Sequence, residues 1–500
     1  MALYAGFDCS TQSLSVVVID AVRRSVVYRD SLPFDEPFVA SRDGAVVHAS
    51  PRTWTAALET IAGRLAREID RGSLGAISGS AQQHGSVYCG DTADALTRPT
   101  APIWMDSSTA RECAEIEAAL GGSAQVARLT GSPAHPRFTG PQIRKFARQE
   151  PDAYARTVRI HLVSSFLASI LLGEHAPIDH ADGSGMNLMD IRSGAWSPAA
   201  LDATAPGLAG KLPPLVRSST VIGRLKAQWQ ARLGLPPARI VAWSGDNPCS
   251  LVGTGLIHEG QLAISLGTSD TIFGPMREPR VSRDGTGHVF ASPLGEYMGI
   301  TVFRNGSLAR QRVRDEHGLT WEGFSEALRR TPAGNDGAMM LPWFEPEITP
   351  AVPGGQIHRF GLETADPRRH VRAIVEAQIM AMARHSAWMG VTPRAIYATG
   401  GAAANREILQ IIADVFEADV HRFASTDAAA LGAALRALHA DSGQRWEDVV
   451  EGFVTPVADS CTRPDPEHVD MYRRLRPLRD SREALAITTS IRWHESPSAS

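Results

Sequence analysis

The stretches "YAGFDCSTQSLSVVVID" near the start of the chain and "SLGTSDTIF" near its middle share one pattern, an apolar strand, a short polar tip and a second apolar strand. In the first copy the apolar run over 3–7 stops at Asp8, and after the tip it resumes over 16–19. In the second copy, residues 262–266 lead into Gly267, Thr268, Ser269 and Asp270, and the chain leaves through 271–273. Aligning Thr11 with Thr268 sets the copies 257 residues apart, about half of the 500-residue chain. A self-similarity at that spacing constrains the fold strongly, because it predicts two related domains that each open on a hairpin. Neither tip carries the Asn-Gly or Asp-Gly pair of a plain two-residue hairpin. Successive backbone N–H groups in a turn form an anion-binding concavity, and a small residue such as Gly267 lets the backbone come close to a ligand. Alone, either tip reads as a solvated turn. Two at half-chain spacing read as phosphate cradles facing each other across a cleft.

The rest of the chain alternates strand and helix patterns, which predicts an α/β architecture. Strands are expected over 16–19, 76–80, 239–243, 262–266, 297–302 and 395–399, and helices over 51–69, 110–119, 140–148, 406–416 and 428–438. The repeat places the domains at 1–247 and 248–490, with a disordered tail over 491–500.

Several function classes are disfavoured by composition. A net charge of −4 gives no basic face for nucleic acid. The five cysteines form no CxxC pair and the 16 histidines show no metal-ligand spacing. The N-terminus runs straight into a strand with no signal-peptide pattern. The longest apolar stretch, "IHLVSSFLASILLG", is broken by serines and falls short of the ~20 residues of a membrane span. A cytoplasmic location is expected, with no membrane partner.

"VAWSGDNPCSLVG" follows the strand expected over 239–243. Asn247 suits a helix N-cap and Pro248 the first helical position, which leaves Asp246 unexplained. A carboxylate there, on a Gly turn at a strand end, can reach into a cleft and accept a proton from a substrate hydroxyl. The first helical turn should keep its pKa low. "AISGSAQQHGSVYC" sets Gln82, Gln83 and His84 in a loop, a donor and acceptor cluster suited to a polyhydroxylated ligand. "APIWMDSSTA" adds Trp104, a platform for the apolar face of a sugar, and Asp106 beside it, while "HPRFTGPQI" adds Arg137. In "RAIYATGGAAANREILQ", Gly400, Gly401 and Ala402 let a flat ligand lie on the backbone before a helix that Asn405 caps or that presents Asn405 to the ligand. The small-residue helix of "STDAAALGAALRALHA" is expected to pack near that same site. No GxxxxGK[ST] or strand-to-helix GxGxxG occurs.

These stretches, with "EAALGG", "LVSSF", "DGSGMNL", "GDNP" and "NGSL", stand in the order and spacing of the FGGY carbohydrate kinases. The chain resembles that family from Ala5 to about His439, most nearly its xylulokinase branch in the animal-type form. The resemblance implies two actin/hexokinase-like (ribonuclease H-like) domains flanking a central cleft. It also implies ATP-dependent phosphorylation of a ketopentose at its terminal hydroxyl with Mg²⁺, D-xylulose to D-xylulose 5-phosphate leading, with L-xylulose, ribulose or a polyol as alternatives. By motif, Asp246 corresponds to the general base, and His84, Arg137, Asp246 and Asn247 to the sugar contacts, with Gln83, Trp104 and Asp106 beside them. Asp8, Thr11 and Gln12, with Gly267, Thr268 and Ser269, correspond to the phosphate cradle, Asp8 being on the metal. Gly400, Gly401, Ala402, Asn405 and Trp321 correspond to the adenosine side. One departure stands out: the family carries Lys or Arg three residues beyond Gln12, and here that position is Ser15. A filament or chaperone ATPase on the same duplicated fold would have no use for the cluster of His84, Trp104, Arg137 and Asp246. A regulator of transcription would need an added basic DNA-binding segment. The expected partners are therefore the sugar and ATP, and a homodimer is compatible with the sequence.

Overall fold

The computed structural model describes residues 2–282, 285–362, 366–423 and 427–495, with side chains to 489. Two sheets organise the chain. The first runs, in spatial order, Val221–Arg224, Arg239–Val241, Leu74–Ala81, Leu3–Cys9, Ser13–Asp20 and Ser25–Pro33, with the short strand Ser244–Gly245 also on Leu74–Ala81. The second runs Gly287–Ala291, Tyr297–Phe303, Asp270–Met276, Gln261–Leu266, Ala395–Thr399 and Asp419–Arg422.

The halves are related in topology as the tips are in sequence. Leu3–Cys9 pairs antiparallel with Ser13–Asp20 and parallel with Leu74–Ala81. Gln261–Leu266 likewise pairs antiparallel with Asp270–Met276 and parallel with Ala395–Thr399. Each polar tip thus lies at the carboxyl end of the central strand of its sheet, where open α/β sheets bind ligands. Val16, Val18 and their neighbours are β-branched and buried on both faces, as an inner strand requires.

Each half has its own core. The first gathers Phe7, Trp54, Leu58, Phe166 and Trp243, and the second Ile264, Phe324, Ile374, Ile411 and Tyr472. The expected elements lie close to the observed ones, with Ala110–Ala119, Ala395–Thr399 and Arg406–Phe416 at the expected bounds.

Three expectations are corrected. The domain boundary at 247/248 falls inside the helix Asp246–Gly253, so the passage between the sheets comes after that helix. The helix Ala428–Ser442 packs on the first sheet, against Tyr4, Val17, Ile19 and Ala76, rather than beside the Gly-Gly loop of its own half. The tail expected from 491 is helical as far as Glu495, the end of the helix that starts at Pro466, and 496–500 lie outside the described residues.

The crossing of Ala428–Ser442 has a simple steric basis. It lies against Asp246–Gly253 at glycine contacts so close that a Cβ on Gly253 would sit 1.8 Å from the Ala428 carbonyl oxygen. A Cβ on Gly432 would sit 1.9 Å from that of Cys249. Arg436 then reaches into the first half, where its guanidinium donates to the carbonyls of Ser218 (2.9 Å) and Ala242 (2.6 Å) and faces the buried Asp179 at 3.8 Å. No described helix is long and apolar enough to cross a membrane, and all five cysteines are free.

Candidate active site

Asp246 opens its helix directly after Ser244–Gly245, so Gly245 is the cap, and Asn247 and Pro248 lie inside the first turn rather than at the N-cap and first position. The turn points the carboxylate into the cleft, and its Oδ1 accepts from the backbone N–H of Asn247 at 2.8 Å. The Asn247 amide donates in turn to Gln83 Oε1 at 2.9 Å. The expected low pKa of Asp246 is overturned. Burial, then the nearby charge of Asp8, push it up to about 7, and the helix-end N–H groups offset this only in part.

His84 sits in the left-handed region at φ 70°, uncommon for a residue with a side chain and typical of sites where the surroundings fix a strained backbone. Its Nδ1 lies 2.8 Å from the Gly185 carbonyl, and its ring stacks on Phe138 with centroids 4.2 Å apart. Burial drives its pKa down to about 3, so the imidazole is neutral. A carbonyl can only accept, so Nδ1 carries the proton and Nε2 is left as an acceptor.

Gln83, His84, Trp104, Arg137, Asp246 and Asn247 all line one cavity of about 430 Å³. Trp104 donates from Nε1 to Thr11 Oγ1 at 2.7 Å, which ties its ring to the first tip, and Arg137 lies over that ring at 5.6 Å. Asp106 does not join them. It is fully buried and accepts from the Val47 N–H (3.0 Å) and the Gln142 amide (2.8 Å), with Ser108 and His48 also on its carboxylate. Burial alone would raise its pKa, yet these partners hold it well below the usual carboxylate range. It braces the loop that carries Trp104, and its assignment as a sugar contact is withdrawn.

The second half closes the same cavity with Ser269, Thr271, His288, Phe290 and Arg304, and His135 and Phe138 complete the first-half wall. Apart from Ser269, sequence reasoning missed these. Thr271, His135 and Phe138 stand within stretches singled out for other residues, whereas only the pairing of strand Gly287–Ala291 with its neighbour brings His288 and Phe290 to the cleft.

A second cavity, of about 520 Å³, is lined by Gly267, Thr268, Trp321, Ser325, Gly401, Ala402 and Asn405, among others. Gly400 takes φ 87°, and a Cβ there would lie 2.4 Å from the Leu266 carbonyl, so the Gly-Gly loop lies directly on the second tip. Asn405 caps Arg406–Phe416 through its side-chain oxygen, and its amide donates to Ser325 Oγ at 2.8 Å. Trp321 is 48% exposed, with the Arg314 guanidinium 4.5 Å from its ring centroid.

The second tip divides the two cavities: Thr268 lines the larger one and Ser269 the smaller. In the first tip, Ser10 N–H donates to the Ser13 carbonyl at 2.9 Å, and the Gln12 carbonyl accepts from Phe34. Below it, Asp8 Oδ1 is buried with no hydrogen-bond partner. Burial and the charge of Asp427 push the Asp8 pKa up to about 6. An orphaned carboxylate oxygen whose charge also acts on Asp246 is a deficit of positive charge that a divalent cation fits. Among the described residues no group of three or more potential ligands is assembled to enclose an ion, which suits a cation that arrives with phosphate oxygens and waters.

Two family models cover the chain: the N-terminal domain of the FGGY family of carbohydrate kinases matches residues 3–253, and its C-terminal domain matches 262–440. A xylulose kinase of Mus musculus is 39% identical over 530 residues, covering 97% of this chain and 95% of that one. Xylulose kinase 2 of Arabidopsis thaliana is 39% identical over 511 residues, covering 92% and 90%. Among solved structures, a xylulose kinase from Rhodospirillum rubrum superposes with a TM-score of 0.88 at 21% identity, over 98% of this chain and 99% of that one. At that identity the likeness speaks for the shared two-domain fold.

Proposed function

The chain belongs to the FGGY family of carbohydrate kinases, and from that premise we propose that it transfers the terminal phosphoryl group of ATP to the terminal hydroxyl of a ketopentose, D-xylulose first. The observation that carries this reading is the placement of the second tip between a cavity holding Asp246, His84 and Arg137 and a second cavity holding Trp321, Gly401 and Asn405. Relatives named xylulose kinase at 39% identity support the choice of sugar.

In this reading His84, Arg137 and Asn247 orient the sugar, while Trp104 lies under its apolar face. Gln83 holds the Asn247 amide and so fixes its register. Asp246 takes the proton of the attacking hydroxyl on a carboxylate oxygen as the O–P bond forms. The backbone groups of Thr11–Gln12 and Gly267–Ser269 grip the phosphates, and Trp321, Gly401, Ala402 and Asn405 hold the adenosine. Asp8 would hold Mg²⁺, which when bound neutralises charge on the phosphate oxygens.

The test is ADP release measured across a panel of ketoses and polyols. D-xylulose is expected to give the highest kcat/KM. Higher kcat/KM with a polyol, an aldonate or another ketose would replace the substrate, and no sugar-dependent ADP release would remove the kinase reading.

A further inference from the structure

Arg304 leaves the end of strand Tyr297–Phe303 and lines the sugar cavity, with its side chain exposed. Its backbone is fixed against the second tip. Its own N–H donates to Glu347 Oε1 at 2.6 Å, and Asn305 occupies Oε2 through both its N–H (3.1 Å) and its side-chain amide (2.8 Å). Two residues on, a Cβ at Gly306 would lie 2.7 Å from the Thr268 carbonyl, and Ser307 N–H donates to the Gly267 carbonyl at 2.8 Å. The guanidinium therefore starts from the phosphate tip and extends on the sugar side of it.

Among the described residues neither Arg304 nor Arg137 forms an ion pair, and Asp246 is the one carboxylate in the cavity lining. Burial and, after it, the charge of Arg304 both lower the pKa of Arg137, so the two cations lie close enough to repel. A neutral sugar does nothing for two guanidinium groups on one cavity, whereas a phosphate ester matches them by charge and by fork geometry.

Resting on the kinase reading above, we propose that Arg304 is a phosphate-binding residue. It holds the phosphoryl group on the sugar side of the second tip and supplies from the second half the positive charge that Ser15 does not supply from the first. Arg29, a basic side chain on the strand next to Ser15, faces Asp427 at 3.7 Å, so its charge is already matched.

The test is calorimetric titration of D-xylulose, D-xylulose 5-phosphate and inorganic phosphate into wild type, Arg304→Met and Arg304→Lys. Arg304→Met is expected to weaken the sugar phosphate and inorganic phosphate at least tenfold while D-xylulose stays within twofold, with an unchanged thermal midpoint because the side chain is exposed. Arg304→Lys should recover most of the loss, and added salt should weaken sugar-phosphate binding more in wild type than in Arg304→Met. Sugar-phosphate affinity equal to wild type in Arg304→Met, or equal losses for sugar and sugar phosphate, would overturn the proposal. Inorganic phosphate separates the two readings. If wild type ignores D-xylulose yet Arg304→Met loses phosphate, Arg304 stands and the choice of sugar falls.

Discussion

A carboxylate that takes a proton works best with a pKa near the working pH, and the general-base role proposed for Asp246 agrees with its pKa of about 7. The linkage has a definite sign. The carboxyl is held above its unfolded value, so the folded state binds the proton more tightly. Stability is therefore lost as pH rises from about 4 to about 7, and the cost is fully present above that. Asp246→Asn should accordingly raise the thermal midpoint at pH 8 while leaving it little changed at pH 4, and should lower kcat by ~10²-fold or more at every pH. A midpoint that falls at pH 8 with near-normal kcat would identify Asp246 as a mere helix-start residue. Ser15→Lys carries the complementary prediction. With Arg304 present it should change kcat and the KM for ATP by less than about threefold, and in an Arg304→Met background it should recover part of the lost turnover. At this scale the sequence singled out Asp246, His84 and Arg137, which line one cavity, but not their surroundings. A helix start is visible in "GDNP", and it argued for a low pKa. The burial that outweighs it depends on residues far along the chain. Asp106 was misjudged for the same reason: nothing near "WMDSS" indicates that Val47 and Gln142 occupy its oxygens.

Among elements, the decisive pair is Asp246–Gly253 against Ala428–Ser442, each following a strand of its own half and meeting at glycine surfaces. Gly432→Val would drive a branched side chain into the Cys249 carbonyl. It is expected to cost ~1–3 kcal/mol and, because Cys249 shares its helix with Asp246, to lower kcat as well. Arg436→Met is expected to cost more, on the order of 3–5 kcal/mol, because it leaves Asp179 buried without a facing cation. Chemical denaturation of both variants checks the order. A Gly432→Val loss exceeding that of Arg436→Met would show that the glycine contact, rather than the buried charge, holds the second half to the first. Helix bounds were legible here because apolar period and caps are local signals, as at Arg406–Phe416. The docking of Ala428–Ser442 was not, because a row of alanines and glycines announces close packing without naming the partner.

Across the whole molecule, the half-chain repeat predicted both sheets and the hairpin that opens each, since a duplicated hairpin leaves its signature in sequence. It said nothing of the second-half wall of the Asp246 cavity, where strand pairing places His288 and Phe290 and the Glu347 carboxylate fixes the backbone of Arg304. In the proposed reaction the two tips serve one phosphoryl group. Among the described residues no hydrogen bond joins one tip to the other: the first is tied to Trp104 and the second to Ser307. Under the proposed function, ligands that bridge the tips are expected to draw them together by a hinge between the halves. Small-angle scattering of the wild-type protein, with D-xylulose and a non-hydrolysable ATP analogue added singly and together, measures that motion. The radius of gyration should fall with both ligands bound, and by more than with either alone. Superimposable profiles under saturating ligands would contradict a cleft that closes on one phosphoryl group.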